Sequence, residues 1–321
     1  MASPHDALGS VGAALRAAGL TERALAAWAG TSRIAALPGR LDAIRARAPT
    51  PADAALALFV AGAEIAKGRL RLPDVVLDEL VAQAMIERSG DWVRARVAIV
   101  PLGAALLVCD RIDAPVERDR VSWPDDSSQH LAGALPPGRR ARWLDLACGS
   151  AYAPLARPAL AAQVDAIDLN ERAVRYAGLG ARLSGIAHVA CAVGDIGVLH
   201  RAADLVTCNA PIPATDAASD DAERWRHVEP GFFDRLWPAL RAAVRPGGMI
   251  VLHAARDALA ALHDAEGERV IVTYTPADVR AFAIAWWRPD APARMATATR
   301  LLDVARPHVD PADREAALVL A

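Results

Sequence analysis

Lysine is almost missing from this chain. Among its 36 basic residues Lys67 is the one lysine and the rest are arginine, which reads as a coding bias rather than a functional choice. Cysteine is scarce as well. Cys109, Cys148, Cys191 and Cys208 lie far apart, with no CxxC pair and no histidine at ligand spacing, so neither a metal site nor a disulfide framework is expected. Aromatic residues make up only 5% of the 321. No apolar run approaches the roughly 18 residues of a membrane span, and the opening MASPHDALGS lacks the basic-then-apolar order of a secretory signal. A soluble protein of the reduced cytoplasm is the expectation. One-sided charge is absent too: the formal net charge is −2, and the first 120 residues hold 15 basic against 14 acidic residues. Composition offers no basic face for a nucleic-acid backbone, so nucleic acid is not the expected partner, with a local arginine patch left open.

What is present is a core. At 54% hydrophobic and 23% charged residues, global disorder is excluded, and the length suggests two domains or one large domain with an extension. Residues 1–90 read as short helices. Ala13, Leu15, Ala18, Leu20, Leu25 and Trp28 recur at near-helical spacing, Thr50 and Pro51 open another helix, and Val76, Leu77, Leu80, Val81 and Met85 form a stripe after Pro73. The period then becomes two: Val93, Ala95, Val97 and Ile99 alternate with Arg94 and Arg96, and an apolar run over 104–109 follows, which predicts a β-hairpin. Residues 1–120 are therefore expected to form a mainly helical, winged-helix-like domain serving as a substrate cap or a dimerisation unit. The Pro-, Asp- and Ser-rich stretch 121–140 is expected to be a linker, whose AspAspSerSer run (125–128) either borders a site or merely connects.

From 141 to 321 strands and helices alternate. Apolar runs at 142–147, 164–169, 188–193, 204–208 and 249–254 are separated by helical stretches near 152–162, 171–183, 197–203 and 231–245, with further strands at 269–274 and 282–287. That pattern predicts a doubly wound, seven-stranded, Rossmann-like α/β sheet. In such a sheet the ligand lies beyond the carboxyl ends of the strands where their order reverses. Those ends read AspLeuAlaCysGlySerAla (145–151), AspLeuAsn (168–170), GlyAsp (194–195) and AsnAlaProIlePro (209–213). Gly149 permits a close backbone approach. Asp168 can accept from both hydroxyls of a ribose. Asp195 can accept from an adenine amino group, with Ile196 offering an apolar face to the ring.

Taken together these four strand ends resemble the class I S-adenosylmethionine-dependent methyltransferases. That family's first motif is an acidic residue followed by x-Gly-x-Gly-x-Gly; this chain keeps Asp145 and Gly149 and has Ala147 and Ala151 at the outer positions. The resemblance covers 141–290 and implies S-adenosylmethionine as cofactor and S-adenosylhomocysteine as product. It implies Asp145, Ala147, Cys148, Gly149 and Ser150 near the methionine part, Asp168 and Leu169 at the ribose, and Asp195 and Ile196 at the adenine. Asn209, Ala210, Pro211 and Ile212 resemble the Asn-Pro-Pro-Tyr motif of the branch that methylates planar nitrogens, where the Asn oxygen and the next carbonyl accept from the target amine and hold it in line. Ala210 and Ile212 depart from that motif, and the lost aromatic platform argues against a nucleobase or a glutamine amide. The implied reaction is methyl transfer to a nitrogen, ahead of oxygen, of a small metabolite or a peptide-like amide.

Other readings stay open. A protein glutamine amide is one acceptor, and a non-catalytic cofactor-binding or regulatory module is a separate class suggested by the replaced glycines. NAD competes for the turn, but its pyrophosphate depends on the outer glycines more heavily. Cys148 and Cys208 read as small apolar packing groups. His227 reads as a solvated loop histidine before it reads as a general base, and the long connection 210–231, with Arg224, Trp225 and Arg226, as a lid.

Overall fold

The computed structural model describes residues 4–31, 33–47, 49–115, 117, 119–195, 202–213, 227–228, 231–274, 281–303 and 306–321. Helices α1 (Pro4–Ala17), α2 (Glu22–Ala29), α3 (Leu41–Arg45) and α4 (Ala54–Phe59) bury Leu8, Leu15, Leu25, Ile44 and Phe59 in one apolar cluster. Thr21 caps α2 by accepting from the Ala24 amide, and Gly30 ends it in the left-handed conformation. The helix expected from Pro51 starts three residues later, because Thr50 Oγ1 donates to Asp53 Oδ2 at 2.6 Å and holds 51–53 as a turn.

Next come β1 (Ile65–Ala66), α5 (Asp74–Ala82), β2 (Ile86–Ser89) and β3 (Trp92–Ala95), the strands forming an antiparallel sheet in the order β1-β3-β2. The alternating run 91–100 is not one strand. Its first half, β3, pairs with β2 across the Gly90 turn, while β4 (Ala98–Leu102) pairs with β5 (Ala105–Cys109). Burial explains the break: β3 exposes every second residue, whereas β4 and β5 are buried on both faces and belong to a different layer.

Residues 121–140, expected as a linker, hold helix α6 (Asp126–Ala134). Asp125 caps it by accepting from the Ser127 and Ser128 amides at 3.0 and 3.4 Å. The rest of the chain builds a large sheet from β6 (Arg140–Leu146), β7 (Ala161–Asp168), β8 (Val189–Val193), β9 (Ala203–Asn209), β12 (Val244–Ala255), β13 (Glu268–Tyr274), β14 (Phe282–Arg288) and β15 (Arg294–Arg300), ordered β15-β13-β14-β12-β9-β6-β7-β8. All run parallel except β14. Among the described residues the expected seven strands are therefore eight. The eighth, ArgMetAlaThrAlaThrArg, carries no apolar run because it is an edge strand with only Ala296 buried.

Helices α7 (Tyr152–Ala156), α8 (Glu171–Leu183) and α9 (Phe232–Ala243) connect the strands, the short pair β10 (Ile212–Pro213) and β11 (His227–Val228) lies between β9 and α9, and α10 (Pro311–Leu320) follows β15. The helix expected at 152–162 shortens to α7 and a single 3-10 turn, Pro158–Leu160. The one expected at 197–203 lies mostly outside the described residues, and Ala203 already belongs to β9.

The two halves share one core. β5 and α1 pack against α8, and Asp110 at the end of β5 is buried against Arg172 of α8, 2.6 Å from its guanidinium, while also accepting from the Val121 amide at 2.7 Å. On the other side Trp286 Nε1 donates to the Ala134 carbonyl at 2.9 Å, and the His130 ring lies 4.1 Å from that of Tyr274. These contacts hold 119–134 across the sheet, above the ends of its central strands. No helix among the described residues is long and apolar enough to cross a membrane.

Candidate functional site

Strand order reverses between β6 and β9, so a crevice opens there at the carboxyl ends of the strands. The chain leaves β6 through a turn in which Ala147, Gly149 and Ala151 have φ of 51°, 52° and 56°. These are the three positions at which the family's motif carries glycine, so the backbone keeps a glycine-type path on alanine. A left-handed alanine costs about 1 kcal/mol. Ala147→Gly is accordingly expected to raise the melting temperature by up to about 1 °C once the greater freedom of unfolded glycine is deducted. Ala151→Gly should be close to neutral, since Ala151 is fully buried and its methyl packing is lost. A lower melting point for Ala147→Gly in a thermal scan would contradict the strain. A Cβ on Gly149 would meet no protein atom within 4 Å, so the protein leaves the space beside this backbone open.

Asp168, at the end of β7, ties this turn to the next. Its Oδ2 accepts from the Gly149 amide at 2.8 Å and its Oδ1 from the Asn170 amide at 2.9 Å. Burial pushes its carboxyl above the usual range against the pull of those amides. Asn170 in turn caps α8 and donates to the Asp119 carbonyl at 2.8 Å, fixing the segment that crosses overhead.

Asp145 is buried on the floor. Trp143 Nε1 donates to Thr207 Oγ1 at 2.7 Å, and Thr207 donates its one proton to Asp145 Oδ1. Burial raises the Asp145 carboxyl to about 7, opposed by the Thr207 bond and reinforced by Asp168 nearby. Cys148 and Cys208 are buried and their thiols pushed up by the same loss of solvent, which suits packing rather than attack.

Asn209 ends β9 and is not free. Its Nδ2 donates to Ser127 Oγ at 2.8 Å, and its Oδ1 faces His253 Nδ1 at 2.8 Å. Ser127 belongs to the 125–128 run, whose site-bordering alternative is the one found, whereas His253 and Tyr274 are additions to the sequence reading. His253 carries no local signal in the apolar run of β12; the parallel register that sets it opposite Asn209 is a long-range property.

One cavity of about 440 Å³ is lined by Asp145, Ala147, Cys148, Gly149, Ser150, Asp168, Leu169, Asp195, Asn209, Ala210 and Pro211. The structure thus brings together every candidate from the strand ends except Ile196, which lies outside the described residues, as do Arg224, Trp225 and Arg226. Leu169 is half-exposed at its edge. Asp195 lies 3.6 Å from Arg235 of α9. The far wall comes from the supposed linker: Trp123, Pro124, Asp125, Ser127 and Ser128, joined by Tyr152 and Phe232. Trp123 is held by donating Nε1 to the Ile34 carbonyl at 2.9 Å.

No family model matches the sequence, and no curated protein matches it significantly. Solved structures similar to the chain include a TehB-like SAM-dependent methyltransferase from Corynebacterium glutamicum, at 14% identity over 50% of this chain and 87% of that one, TM-score 0.35. A ribosomal protein L11 methylase from Lactobacillus delbrueckii aligns at 16% identity over 50% and 77%, TM-score 0.36. A tRNA m1G37 methyltransferase from M. jannaschii aligns at 16% over 60% and 57%, TM-score 0.40. Likenesses of this size carry no functional argument.

Proposed function

We propose that the cavity binds S-adenosylmethionine and that the protein transfers its methyl group to a nitrogen of a small metabolite or peptide-like amide. The observation that carries this reading is the convergence of Asp145, the 147–150 turn, Asp168, Leu169, Asp195 and Asn209 on one cavity at the reversal of strand order. The residues fit the cofactor's chemistry. Each Asp168 oxygen keeps a lone pair beyond its backbone bond and can accept a ribose hydroxyl. Leu169 presents an apolar face beside it, and Asp195 can accept from an amino group. The cofactor supplies a methyl already activated by positive sulfur. The chain's part is then to hold the acceptor in line and keep water out, and Asn209 Oδ1, with a lone pair beyond its contact to His253, accepts from the acceptor's N–H.

Among the other readings, the Trp123, Tyr152 and Phe232 rings on the far wall favour a planar nitrogen such as a glutamine amide over an aliphatic amine. We place the domain boundary near residue 120, with 141–321 as the cofactor-binding unit. The order β1-β3-β2 around α5 supports a winged-helix-like first unit. Asp74 and Asp78 are exposed on α5, which disfavours that helix as a reader of DNA phosphates.

Calorimetric titration with S-adenosylmethionine and with NAD tests the cofactor. Micromolar binding of the first is expected; binding of NAD alone would overturn the assignment of the turn. With a panel of amine and amide acceptors, Asn209→Ala is expected to slow S-adenosylhomocysteine release about hundredfold while cofactor affinity stays within about threefold. Equal turnover would remove Asn209 from the transfer step.

A further inference from the structure

We propose that His253 and Tyr274 are positioning residues that lock the Asn209 amide with its oxygen available to the acceptor; this deepens the methyl-transfer reading and rests on it. The groups form one directed chain. The Asp125 carboxylate, at the cap of α6, can only accept, so the hydroxyl proton of Ser127 is committed to it. Ser127 Oγ then accepts from its other neighbour, which must be the NH₂ of Asn209. The amide orientation follows: Oδ1 faces His253, and Nδ1 must carry the imidazole proton. Nε2 is left bare and accepts the one proton of Tyr274. Each donor is used once and all bonds point the same way, from Tyr274 to Asp125, an arrangement in which each bond polarises the next.

The surroundings permit no other state. His253 is 2% exposed, stacks on Phe282 with ring centroids 5.4 Å apart at 16°, and its imidazole is held neutral by burial. Its own carbonyl accepts from the Ala210 amide at 2.9 Å, so the backbone that carries the chain is fixed at the same point. An asparagine amide without such partners can turn over and present NH₂ to an N–H, which repels. The chain removes that alternative. It also ties α6, which lines the cavity with Ser127 and Ser128, to β9, β12 and β13.

The test uses two cofactor analogues and needs no knowledge of the acceptor. Sinefungin carries an amine-bearing carbon where the cofactor has its methylated sulfur, placing N–H donors at the transfer point; S-adenosylhomocysteine has none there. Calorimetry on the wild type, His253→Leu, His253→Asn, Tyr274→Phe and Asn209→Ala should show that the wild type prefers sinefungin. His253→Leu and Asn209→Ala should each lose about tenfold of that preference, and Tyr274→Phe part of it, since a hydrogen bond to a cation is at stake. In His253→Asn the side-chain NH₂ replaces the Nδ1 proton and the preference should hold within about threefold. S-adenosylhomocysteine affinity should stay constant throughout, which also shows that each variant is folded. An unchanged preference in His253→Leu, or equal loss in His253→Asn, overturns the proposal, the latter assigning His253 to packing alone. Nitrogen-15 spectra of the wild type give a second reading without substitutions: the Nδ1–H tautomer is expected for His253, and Nε2–H would overturn it. Failure of the wild type to bind either analogue would instead sink the cofactor reading beneath it.

Discussion

Asp168→Ala is expected to lower affinity for S-adenosylmethionine by about hundredfold or more, two hydrogen bonds to a charged acceptor being removed at about tenfold or more each. The side chain does two jobs at once. It holds the Gly149 and Asn170 amides at 2.8 and 2.9 Å, so its loss releases the turn after β6 as well as the assigned ribose contact. Stability should change much less, by about 1 kcal/mol, because the buried charge is itself disfavoured and its removal offsets part of the lost bonding; its raised carboxyl is the sign of that cost. Asp168→Asn should bind as poorly as the alanine variant. An amide has one acceptor oxygen, and its NH₂ would confront either the Gly149 or the Asn170 N–H. Calorimetry on both variants decides the matter: affinity for Asp168→Asn within about threefold of wild type, under half the effect of a single such bond on the energy scale, would take the ribose assignment away from Asp168.

The strand ends could be read in advance because a buried parallel strand declares itself locally. Leu144, Leu146, Val164, Ile167, Leu205 and Val206 are all buried, and the polar residues that follow such runs must be where the backbone surfaces. The helical stretch expected at 171–183 is likewise α8, which Asn170 caps. Where apolar content is low the reading failed. β15 alternates Thr and Ala at an edge and shows no run. α6 begins with a cap and two serines, and only His130, Leu131, Ala132 and Ala134 turn inward, so its stripe was hidden inside a stretch that composition assigned to a linker. The pairing of Asn209 with its neighbours was invisible for another reason. Ser127, Asn209, His253 and Tyr274 come from four elements, and only the register of β12 on β9 brings the histidine to the asparagine. Spacing along one chain does not encode that pairing; the sheet does.

Stability against pH should separate Asp145 from His253 by sign. Burial raises the folded Asp145 carboxyl from 3.8 to about 7, so its contribution is fully present below about pH 4 and is lost as pH rises toward 7. Burial lowers His253, and His130 with it, from 6.5 to about 3; their contributions are present above about pH 6.5 and are lost as pH falls toward 3. Between about pH 4.5 and 6 the unfolded chain therefore carries protonated histidines and an ionised Asp145, and the folded chain the reverse. Each histidine adds about +1.4 kcal/mol of stability per pH unit in that window, and Asp145 about −1.4. His253→Asn should then flatten the urea-unfolding free energy against pH by about 1.4 kcal/mol per unit, and Asp145→Asn, whose oxygen can still accept from Thr207, should steepen it by as much. Above pH 7 the Asp145→Asn variant should be the more stable protein, by up to about 4 kcal/mol, although it alters the floor of the site. A slope left unchanged by either variant would mean that the group it removes keeps its solvent-like ionisation inside the fold. Opposite slopes of this size would establish a neutral imidazole behind Asn209 and a protonated carboxyl beneath the turn, two states that bury no net charge under the cavity in slightly acidic solution.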